Sequence, residues 1–587
     1  MASPETPQTE RVSQVLLVFN EANLAFLRVS AGGALGPTLA ANGTGTEVAS
    51  ACATLAELHL DADPVRIATA ADGTELWFAI SPIEEVTGDG EWRLLSIEEM
   101  NAAAGSLEPG LAAILPLVRE HAIRIPYLNN AETDFIFRFR TEKQRNRDVY
   151  RSDPRAQGLY QSALCEAIKR LRRTKERSAD EPAVLDFGAV QYVLPSHFGF
   201  CLGVQNAIER AYETITTNPG GRVFMLSELI HNPFVNDDLR ARGLRYLQSD
   251  KGVPAVDPAS GARLWDDLRQ GDIVIIPAFG ATDEDKRRLI EKGIALNRHD
   301  ATCMLVEKVW KAARRYGRLG FTVIIHGKHE HEETKATFSN TVKHGPALIL
   351  RDPSEAEMLS HVILAPSEAE ARRRFAPFAG KHSEGFDPVR DLQRLAVVNQ
   401  TTLLRNETLH IIDLLESVLA QRFGAENVRD HLFAESRGDT LCYATQVNQD
   451  ALERALALDL DAAVVVGGKN SSNTFQLFRM CEARFRERAF YIQSEQDIVS
   501  AGEIRHFIYP YNPRDPRQGR HVPKKFLGDR RPVRLLVTGG ASCPDGLIQQ
   551  IVARINGFFP ASEIRPLEDV LADFEAEAVK GTGGHAD

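Results

Sequence analysis

The feature that most constrains the fold is a regular alternation of short apolar runs and amphipathic segments after about residue 190. The apolar runs are rich in β-branched residues and lie at 223–226, 273–276, 323–325, 395–398, 464–466 and 535–537. Most are followed by a polar or glycine-rich turn and then by apolar residues at helical spacing. This alternation predicts βα units and parallel sheets. Since such sheets bind ligands at the turns that follow their strands, those turns are where chemistry is expected.

The first third of the chain has a different character. Residues 1–130 contain apolar stretches around 16–19 and 76–80, which predict strands of a separate N-terminal α+β unit without a catalytic motif. Residues 131–189 are rich in Arg and Lys and predict a solvated, partly helical linker. The alternative for this basic stretch is a docking surface for an acidic electron carrier.

Composition and charge exclude several classes of protein. The net charge is −11 and the pI about 5.9, which disfavours nucleic-acid binding. No apolar run approaches the roughly 20 residues that span a bilayer, and the N-terminus does not resemble a secretory signal. The sequence therefore predicts a cytoplasmic protein with no membrane partner. Seven cysteines without a CxxC pair argue against a disulfide framework, and the alternative is that they are small buried apolar residues.

Three of the cysteines occupy similar positions in the pattern. Cys201, Cys303 and Cys442 each lie near the start of a predicted helix. A helix N-terminus favours an anion and lowers the pKa of a thiol, which promotes the metal-binding thiolate. Three converging thiolates are able to hold one soft metal centre, and a [4Fe–4S] cluster held by three would keep one iron free for a substrate oxygen. Spacing alone does not establish that they converge.

Two further turns are rich in small polar residues. The turn within 464–480 offers Ser471, Ser472 and Asn473, and the turn within 537–555 offers Ser542. Hydroxyls, amides and a helix N-terminus suit a phosphate or diphosphate group. For any single turn of this kind the alternative is simple helix capping.

The stretch 323–340 is denser in titratable side chains than capping requires. His329, His331, Glu332 and Glu333 follow one another within it. One interpretation is a zinc site, although HxH followed by EE is not a common catalytic zinc motif. The other is a histidine that binds an anionic substrate beside a glutamate that delivers protons.

Motifs from these turns occur together in the order of one known family. GFCLGVQNAIERA, SELIHNPFVN, PAFGA, DATCMLVEKVW, IIHGKHEHEETKAT, VVNQTT, CYATQVNQDA, GGKNSSNT and TGGASCPDG span roughly residues 190–560. The chain thereby resembles the 4-hydroxy-3-methylbut-2-enyl diphosphate reductases, above all their longer plant and cyanobacterial members. The resemblance implies three αβ domains in a trefoil around one [4Fe–4S] cluster per chain, with a three-lobed core and a C-terminal tail in residues 190–587.

The resemblance also implies a role for each matching residue. It makes Glu333 the proton source and places Thr401 near the substrate hydroxyl. The family reaction removes an allylic hydroxyl as water with two electrons and two protons, and a ferredoxin- or flavodoxin-like protein would supply the electrons. The implied cluster ligands are Cys201, Cys303 and Cys442, and the implied diphosphate-binding residues are His231, His331, Ser471, Ser472, Asn473 and Ser542.

The chain departs from the family pattern at three positions. Phe279 stands where many bacterial members have a histidine, so one diphosphate contact is absent, as in the longer branch of the family. Met304 replaces a common proline, and Cys543 lies beside Ser542 where alanine is frequent, which raises the alternative of a fourth cluster ligand. Two other functions remain as alternatives: another iron–sulfur or zinc enzyme such as a hydro-lyase, and a non-catalytic binding protein. Retention of the three cysteines and Glu333 argues against the second.

Overall fold

The computed structural model describes most of the chain after residue 152 and parts of the chain before it. The described residues are 13–20, 25–29, 35–37, 39–42, 65–69, 73, 75–81, 92–106, 109–123, 148, 153–173, 178–433, 442–510 and 519–582. None of the helices within these ranges is both long enough and apolar enough to cross a membrane.

The described residues of the N-terminal part form one seven-stranded sheet and two α-helices. The central pair β1 and β6 is parallel, and the strand order is β3-β2-β1-β6-β5, with β4 added to β1 and β7 to β2. The strands predicted around 16–19 and 76–80 are confirmed as β1 and β6. The elements are β1 to β7 at Ser13–Asn20, Ala25–Val29, Leu35–Pro37, Leu39–Asn42, Val65–Thr69, Glu75–Ser81 and Trp92–Leu95, then α1 at Ile97–Ala102 and α2 at Pro109–His121.

Part of the predicted basic linker is built into the core. Helix α4, at Ala163–Arg172, buries Leu164, Cys165 and Ile168 in the same apolar cluster as the strands of a five-stranded sheet. Its basic residues have internal partners, since Lys169 Nζ lies 2.7 Å from Asp545 and Arg170 pairs with Glu575. The elements here are α3 at Pro154–Tyr160, α4 at Ala163–Arg172, β8 at Ala183–Asp186, β9 at Val190–Leu194 and α5 at Leu202–Thr217.

The next part of the chain forms a small parallel sheet. Its strand order is β11-β10-β12, and β10 confirms the strand predicted at 223–226. The elements are β10 at Val223–Met225, α6 at Pro233–Ala241, β11 at Arg245–Tyr246, β12 at Ile273–Ile275, α7 at Asp283–Glu291 and α8 at Met304–Arg318.

A second small parallel sheet follows, with strand order β14-β13-β15. Every residue of the three strands is buried. The elements are β13 at Thr322–His326, α9 at Glu332–Thr341, β14 at Ala347–Leu350, α10 at Pro353–Ile363, α11 at Glu368–Phe375, α12 at Pro388–Asp391, β15 at Leu395–Asn399, α13 at Arg405–Phe423 and α14 at Val428–His431.

The chain then returns to the five-stranded sheet, whose order is β17-β16-β21-β9-β8 with β8 as an antiparallel edge strand. Between β17 and β21 the chain forms a separate antiparallel sheet with strand order β18-β19-β20. The elements are α15 at Tyr443–Leu456, β16 at Ala462–Val466, α16 at Ser472–Phe485, β17 at Ala489–Ile492, β18 at Ile498–Ser500, β19 at Glu503–Phe507, β20 at His521–Lys525, β21 at Val533–Gly539, α17 at Asp545–Asn556 and α18 at Leu567–Thr582.

Three helices connect the parallel sheets in a closed cycle. Helix α5 leads from the five-stranded sheet to the β11-β10-β12 sheet, and α8 leads from there to the β14-β13-β15 sheet. Helix α15 leads back to the five-stranded sheet. The predicted mixed α/β fold with parallel sheets is therefore confirmed. Each connecting helix lies in the part of the chain that joins one parallel sheet to the next.

The N-terminal part packs against the β11-β10-β12 sheet region. Ile97 and Met100 of α1 belong to the same buried cluster as Leu289 and Ile290 of α7. Two ion pairs border this contact, Arg119 to Glu291 at 2.8 Å and Lys292 to Glu98 at 3.3 Å. The apolar contact, rather than these exposed pairs, supplies most of the stabilisation here.

Candidate active site

Each of the three predicted cysteines is the N-cap residue of one connecting helix. Cys201 precedes α5, Cys303 precedes α8 and Cys442 precedes α15, all three with extended backbone dihedrals. The predicted position at a helix start is therefore confirmed. Because the three helices connect the three sheets in a cycle, their N-termini bring the thiols toward one region.

The three cysteines line one and the same cavity. Gly203 lies between two of them, since a Cβ atom there would be 2.5 Å from the Cys303 Sγ and 3.9 Å from the Cys201 Sγ. Burial raises the pKa of the Cys303 thiol well above its usual range, and the neighbouring Cys201 and Cys442 thiols raise it further. The thiols are thus close enough to influence one another's ionisation.

Backbone N–H groups at each helix start favour the thiolate form. Burial raises the pKa of the Cys442 thiol to about 11, and the N–H groups of Thr445 and Ala444 oppose this rise. Burial likewise raises the pKa of Cys201, opposed by the N–H groups of Val204 and Gly203. Three soft sulfur donors backed by helix N-termini match the chemistry of an iron–sulfur cluster.

The remaining predicted residues lie in or beside the same cavity. His331 is the one that does not line it, and it hydrogen-bonds to His231, which does. The roles assigned to these residues stay predictions, but the structure brings their side chains together. The predicted residues that line the cavity are Cys201, His231, Cys303, Glu333, Thr401, Cys442, Ser471, Ser472, Asn473 and Ser542.

Glu333 and Thr401 form a buried pair. The Glu333 Oε1 atom accepts hydrogen bonds from the Thr401 N–H at 2.7 Å and from the Thr401 hydroxyl at 2.5 Å. Burial raises the pKa of Glu333, and the two bonds from Thr401 oppose that rise. Since Oε1 already accepts two bonds, Oε2 is the atom that carries the proton when the carboxyl group is neutral.

His231 and His331 are arranged as a hydrogen-bonded pair. Their Nε2 atoms are 3.1 Å apart, and the Nδ1 atom of His331 accepts a bond from the Glu333 N–H at 3.2 Å. A neutral His331 therefore carries its proton on Nε2 and donates it to His231. Burial lowers the pKa of His331 well below its usual range, and the neighbouring His231 lowers it further. These surroundings favour the neutral form of His331.

The two serine-rich turns meet beside these histidines. The Asn473 Oδ1 atom accepts a bond from the Ala541 N–H at 2.8 Å, which joins one turn to the other. The Ser542 hydroxyl donates to the backbone oxygen of His231 at 3.2 Å. The buried Asn473 Nδ2 group has no hydrogen-bond partner among the described residues. An unpaired buried donor that faces a cavity is suited to binding an anion.

The histidine-rich stretch does not assemble the zinc arrangement considered above. The His329 ring is 3.0 Å from Glu330 and 43% exposed, whereas His331 is directed toward His231. Across the described ranges, no three His, Cys, Asp or Glu side chains are placed to bind a single metal ion.

The departures from the family pattern have distinct surroundings. Phe279 and Met304 both line the cavity. Cys543 is fully buried in the apolar cluster beneath the five-stranded sheet and is not among the lining residues, so the structure gives no support to a fourth cluster ligand. The described cysteines Cys165 and Cys481 also lie in apolar clusters, as expected for small buried residues.

Sequence reasoning missed several residues of the site. Thr402 and Thr445 line the cavity, and Gly203 separates two thiols. Each lies within one of the family motifs, in NQTT, CYAT and CLG, no more than three residues from a predicted site residue. Proximity to those residues in the sequence is the sign that could have identified them. The need for glycine at 203 depends on a contact with Cys303, which the sequence does not reveal.

Comparison with known proteins shows the family of the chain. The family model described as LytB protein matches residues 193–556. A relative from Gloeobacter violaceus is 38% identical over 68% of this chain and 87% of its own length, and one from a Synechococcus strain is 36% identical over 71% and 96%. Both relatives are named 4-hydroxy-3-methylbut-2-enyl diphosphate reductase.

Solved structures of similar proteins were also found. One is a reductase of the same kind from Plasmodium falciparum, which is 18% identical, covers 66% of this chain and 98% of its own, and has a TM-score of 0.43. Another is an (E)-4-hydroxy-3-methyl-but-2-enyl diphosphate reductase, the terminal enzyme of the non-mevalonate pathway, which is 22% identical, covers 62% of this chain and 99% of its own, and has a TM-score of 0.36. The match over residues 193–556 and the identity to its relatives show that the chain belongs to the LytB protein family.

Proposed function

We propose that the chain converts (E)-4-hydroxy-3-methylbut-2-enyl diphosphate into isopentenyl and dimethylallyl diphosphate, the last step of the non-mevalonate isoprenoid pathway. The substrate gains two electrons and two protons, its allylic C–O bond breaks, and the oxygen leaves as water. The observation that carries this proposal is one cavity lined by three thiols, a buried acid and a set of anion-binding donors.

In this proposal Cys201, Cys303 and Cys442 hold one [4Fe–4S] cluster, around which the three sheets are arranged as a trefoil. The cluster supplies electron transfer and a Lewis-acidic iron when bound. The fit rests on three thiols at helix N-termini with N–H groups directed toward them. A small acidic ferredoxin- or flavodoxin-like protein is the proposed electron donor.

The diphosphate would bind where the two serine-rich turns meet the histidine pair. Asn473 Nδ2 is available as a donor, and Ser471, Ser472 and Ser542 line the same wall. The His331 ring adds an N–H group, and His231 adds another once its own proton is on Nε2. Neutral donors fixed by their neighbours bind the anion without the conformational cost of ordering long basic side chains.

Glu333 would deliver a proton to the departing hydroxyl group. Its Oε2 atom carries the proton, while Oε1 is held by Thr401. The Thr401 hydroxyl donates to Glu333, which leaves its oxygen free to accept a bond from the substrate hydroxyl. Burial keeps Glu333 protonated to a higher pH than an exposed carboxyl group, which suits a general acid.

The experiment that tests this function is anaerobic purification followed by iron and sulfide analysis and a product assay with a strong one-electron reductant. We expect both five-carbon diphosphates, which are isomers of one mass and are distinguished by proton NMR, and no turnover when the reductant is omitted. A preparation with full iron and sulfide content that forms neither product would overturn the proposal. A dehydrated diphosphate that forms without reductant, in place of the two reduced products, would instead indicate a hydro-lyase.

A further inference from the structure

We infer that Phe279 is a positioning residue that fixes the His231 ring for diphosphate binding by stacking on its face. The inference rests on the proposed function and names a residue that has no hydrogen-bonding group of its own. The ring centroids of Phe279 and His231 are 4.1 Å apart with an interplanar angle of 15°. Both rings line the cavity.

His231 has few other contacts that fix its ring. Its Nε2 atom is bonded to His331, and its buried Nδ1 atom has no hydrogen-bond partner among the described residues, with the Glu228 carboxylate 3.9 Å away. A diphosphate oxygen accepts a bond only from a His231 ring that carries its proton on Nε2, and in that form the bond that His331 donates to this atom is lost. The stack with Phe279 still keeps the imidazole from rotating, since it does not depend on either nitrogen, and the edge of the His331 ring, with centroids 4.8 Å apart, is the other ring contact.

The backbone around Phe279 is itself firmly held. The Ala278 N–H donates to the Leu229 oxygen at 3.3 Å, and the Ala278 oxygen accepts from the Cys303 N–H at 3.0 Å. Gly280 has a φ of +82°, and a Cβ atom there would lie 2.4 Å from the Trp310 ring. The turn therefore connects the segment that bears His231 to the helix that begins at Cys303, and Phe279 has little freedom to move.

An aromatic ring stacked on a histidine also favours the form of that histidine that donates a hydrogen bond to an anion. The negative face of an aromatic ring attracts a cation or a polarised N–H-bearing ring, and stacked aromatic pairs contribute beyond their buried area. Where a histidine at position 279 would offer one more donor, phenylalanine makes an existing donor more effective. Loss of the ring would thus weaken diphosphate binding without removing a hydrogen bond.

The test compares Phe279→Leu, which removes the ring but keeps an apolar side chain, with Phe279→Tyr, which keeps the ring. Calorimetry with inorganic diphosphate on anaerobically purified protein measures binding independently of turnover. We expect about fivefold to tenfold weaker binding for Phe279→Leu and near-normal binding for Phe279→Tyr. In the product assay KM should rise by a similar factor, while kcat changes less than about threefold.

The matched control is Phe423→Leu, because Phe423 stacks on His431 at 3.7 Å and 4° in a part of the fold away from the cavity. This variant should bind inorganic diphosphate normally. Equal affinity of Phe279→Leu and the parent, or equal weakening by Leu and Tyr, would overturn the inference while leaving the proposed function intact. A parent protein that binds no diphosphate but turns over substrate would also overturn it, whereas one that does neither would refute both.

Discussion

Replacement of Glu333 by Gln tests the proposed acid most directly. The amide keeps the size of the carboxyl group, and its oxygen is able to accept the two bonds that Thr401 donates. The change therefore removes the proton on Oε2 with little disturbance of the fold. A positioned general acid contributes about 10²- to 10⁴-fold, so we expect kcat to fall at least about 100-fold, or about 2.7 kcal/mol of transition-state stabilisation.

The assay separates chemistry from binding. KM and the affinity for inorganic diphosphate should stay within about threefold of the parent, and iron content should be unchanged, because Glu333 is not placed among the anion donors. Glu332→Gln is the matched control, since Glu332 is adjacent in the same helix but does not line the cavity. If Glu333→Gln kept near-normal turnover while Glu332→Gln abolished it, the assignment within this motif would be wrong by one residue.

The same variant should alter the pH dependence of stability. Burial raises the pKa of Glu333 above the ordinary value of 4.5, so the folded protein holds this proton where the unfolded chain has released it. The free energy of unfolding consequently falls as pH rises through that window. The glutamine side chain does not titrate, so the free energy of unfolding of Glu333→Gln does not fall in this way. Denaturant titrations should therefore show the variant becoming more stable relative to the parent as pH rises. A constant difference across pH would contradict the raised pKa.

Two further predictions concern the anion donors and the N-terminal part. Asn473→Ala should weaken diphosphate binding by about 1–3 kcal/mol in calorimetry, whereas Asn470→Ala, which alters an exposed side chain of the same turn, should not. Normal affinity of Asn473→Ala would contradict the donor role. Deletion of residues 1–130 should preserve iron content and activity with an artificial reductant but lower Tm, because it uncovers Leu289 and Ile290. Loss of activity in a folded truncation would place the N-terminal part in the active assembly.

The strands and the settings of the cysteines follow from local sequence. Each strand predicted from a short β-branched run is present, and Cys201, Cys303 and Cys442 are helix N-caps as expected. The strands and the helix starts both follow from the spacing of apolar residues over short stretches, and one sequence is enough to show that spacing. That the thiols meet depends on how three sheets are joined, and here the order of family motifs supplied what periodicity does not.

The features that the sequence did not reveal depend on contacts between distant segments. The basic stretch predicted as a solvated, partly helical linker contributes helix α4 to the core, where Lys169 pairs with Asp545 and Arg170 with Glu575. Charge patterning describes which residues are polar but not which acidic partner lies nearby. The stack of Phe279 on His231 is of the same kind, since the two rings come from different turns. Such contacts become visible only once the fold is known.

Gly203 provides a final prediction that depends on the fold alone. A Cβ atom at this position would lie 2.5 Å from the Cys303 Sγ and 3.4 Å from its Cβ, so Gly203→Ala must displace the Cys303 side chain. Since Gly203 is helical, the alanine itself is well tolerated by the backbone, and the effect should fall on the thiols. We expect iron and sulfide content to drop to less than about half that of the parent while the far-ultraviolet circular dichroism stays unchanged. Gly158→Ala is the matched control, because it lies in α3 with no atom within 4 Å of the added methyl group. Full cluster content in Gly203→Ala would show that the Cys303 side chain does not lie against residue 203 in the loaded protein.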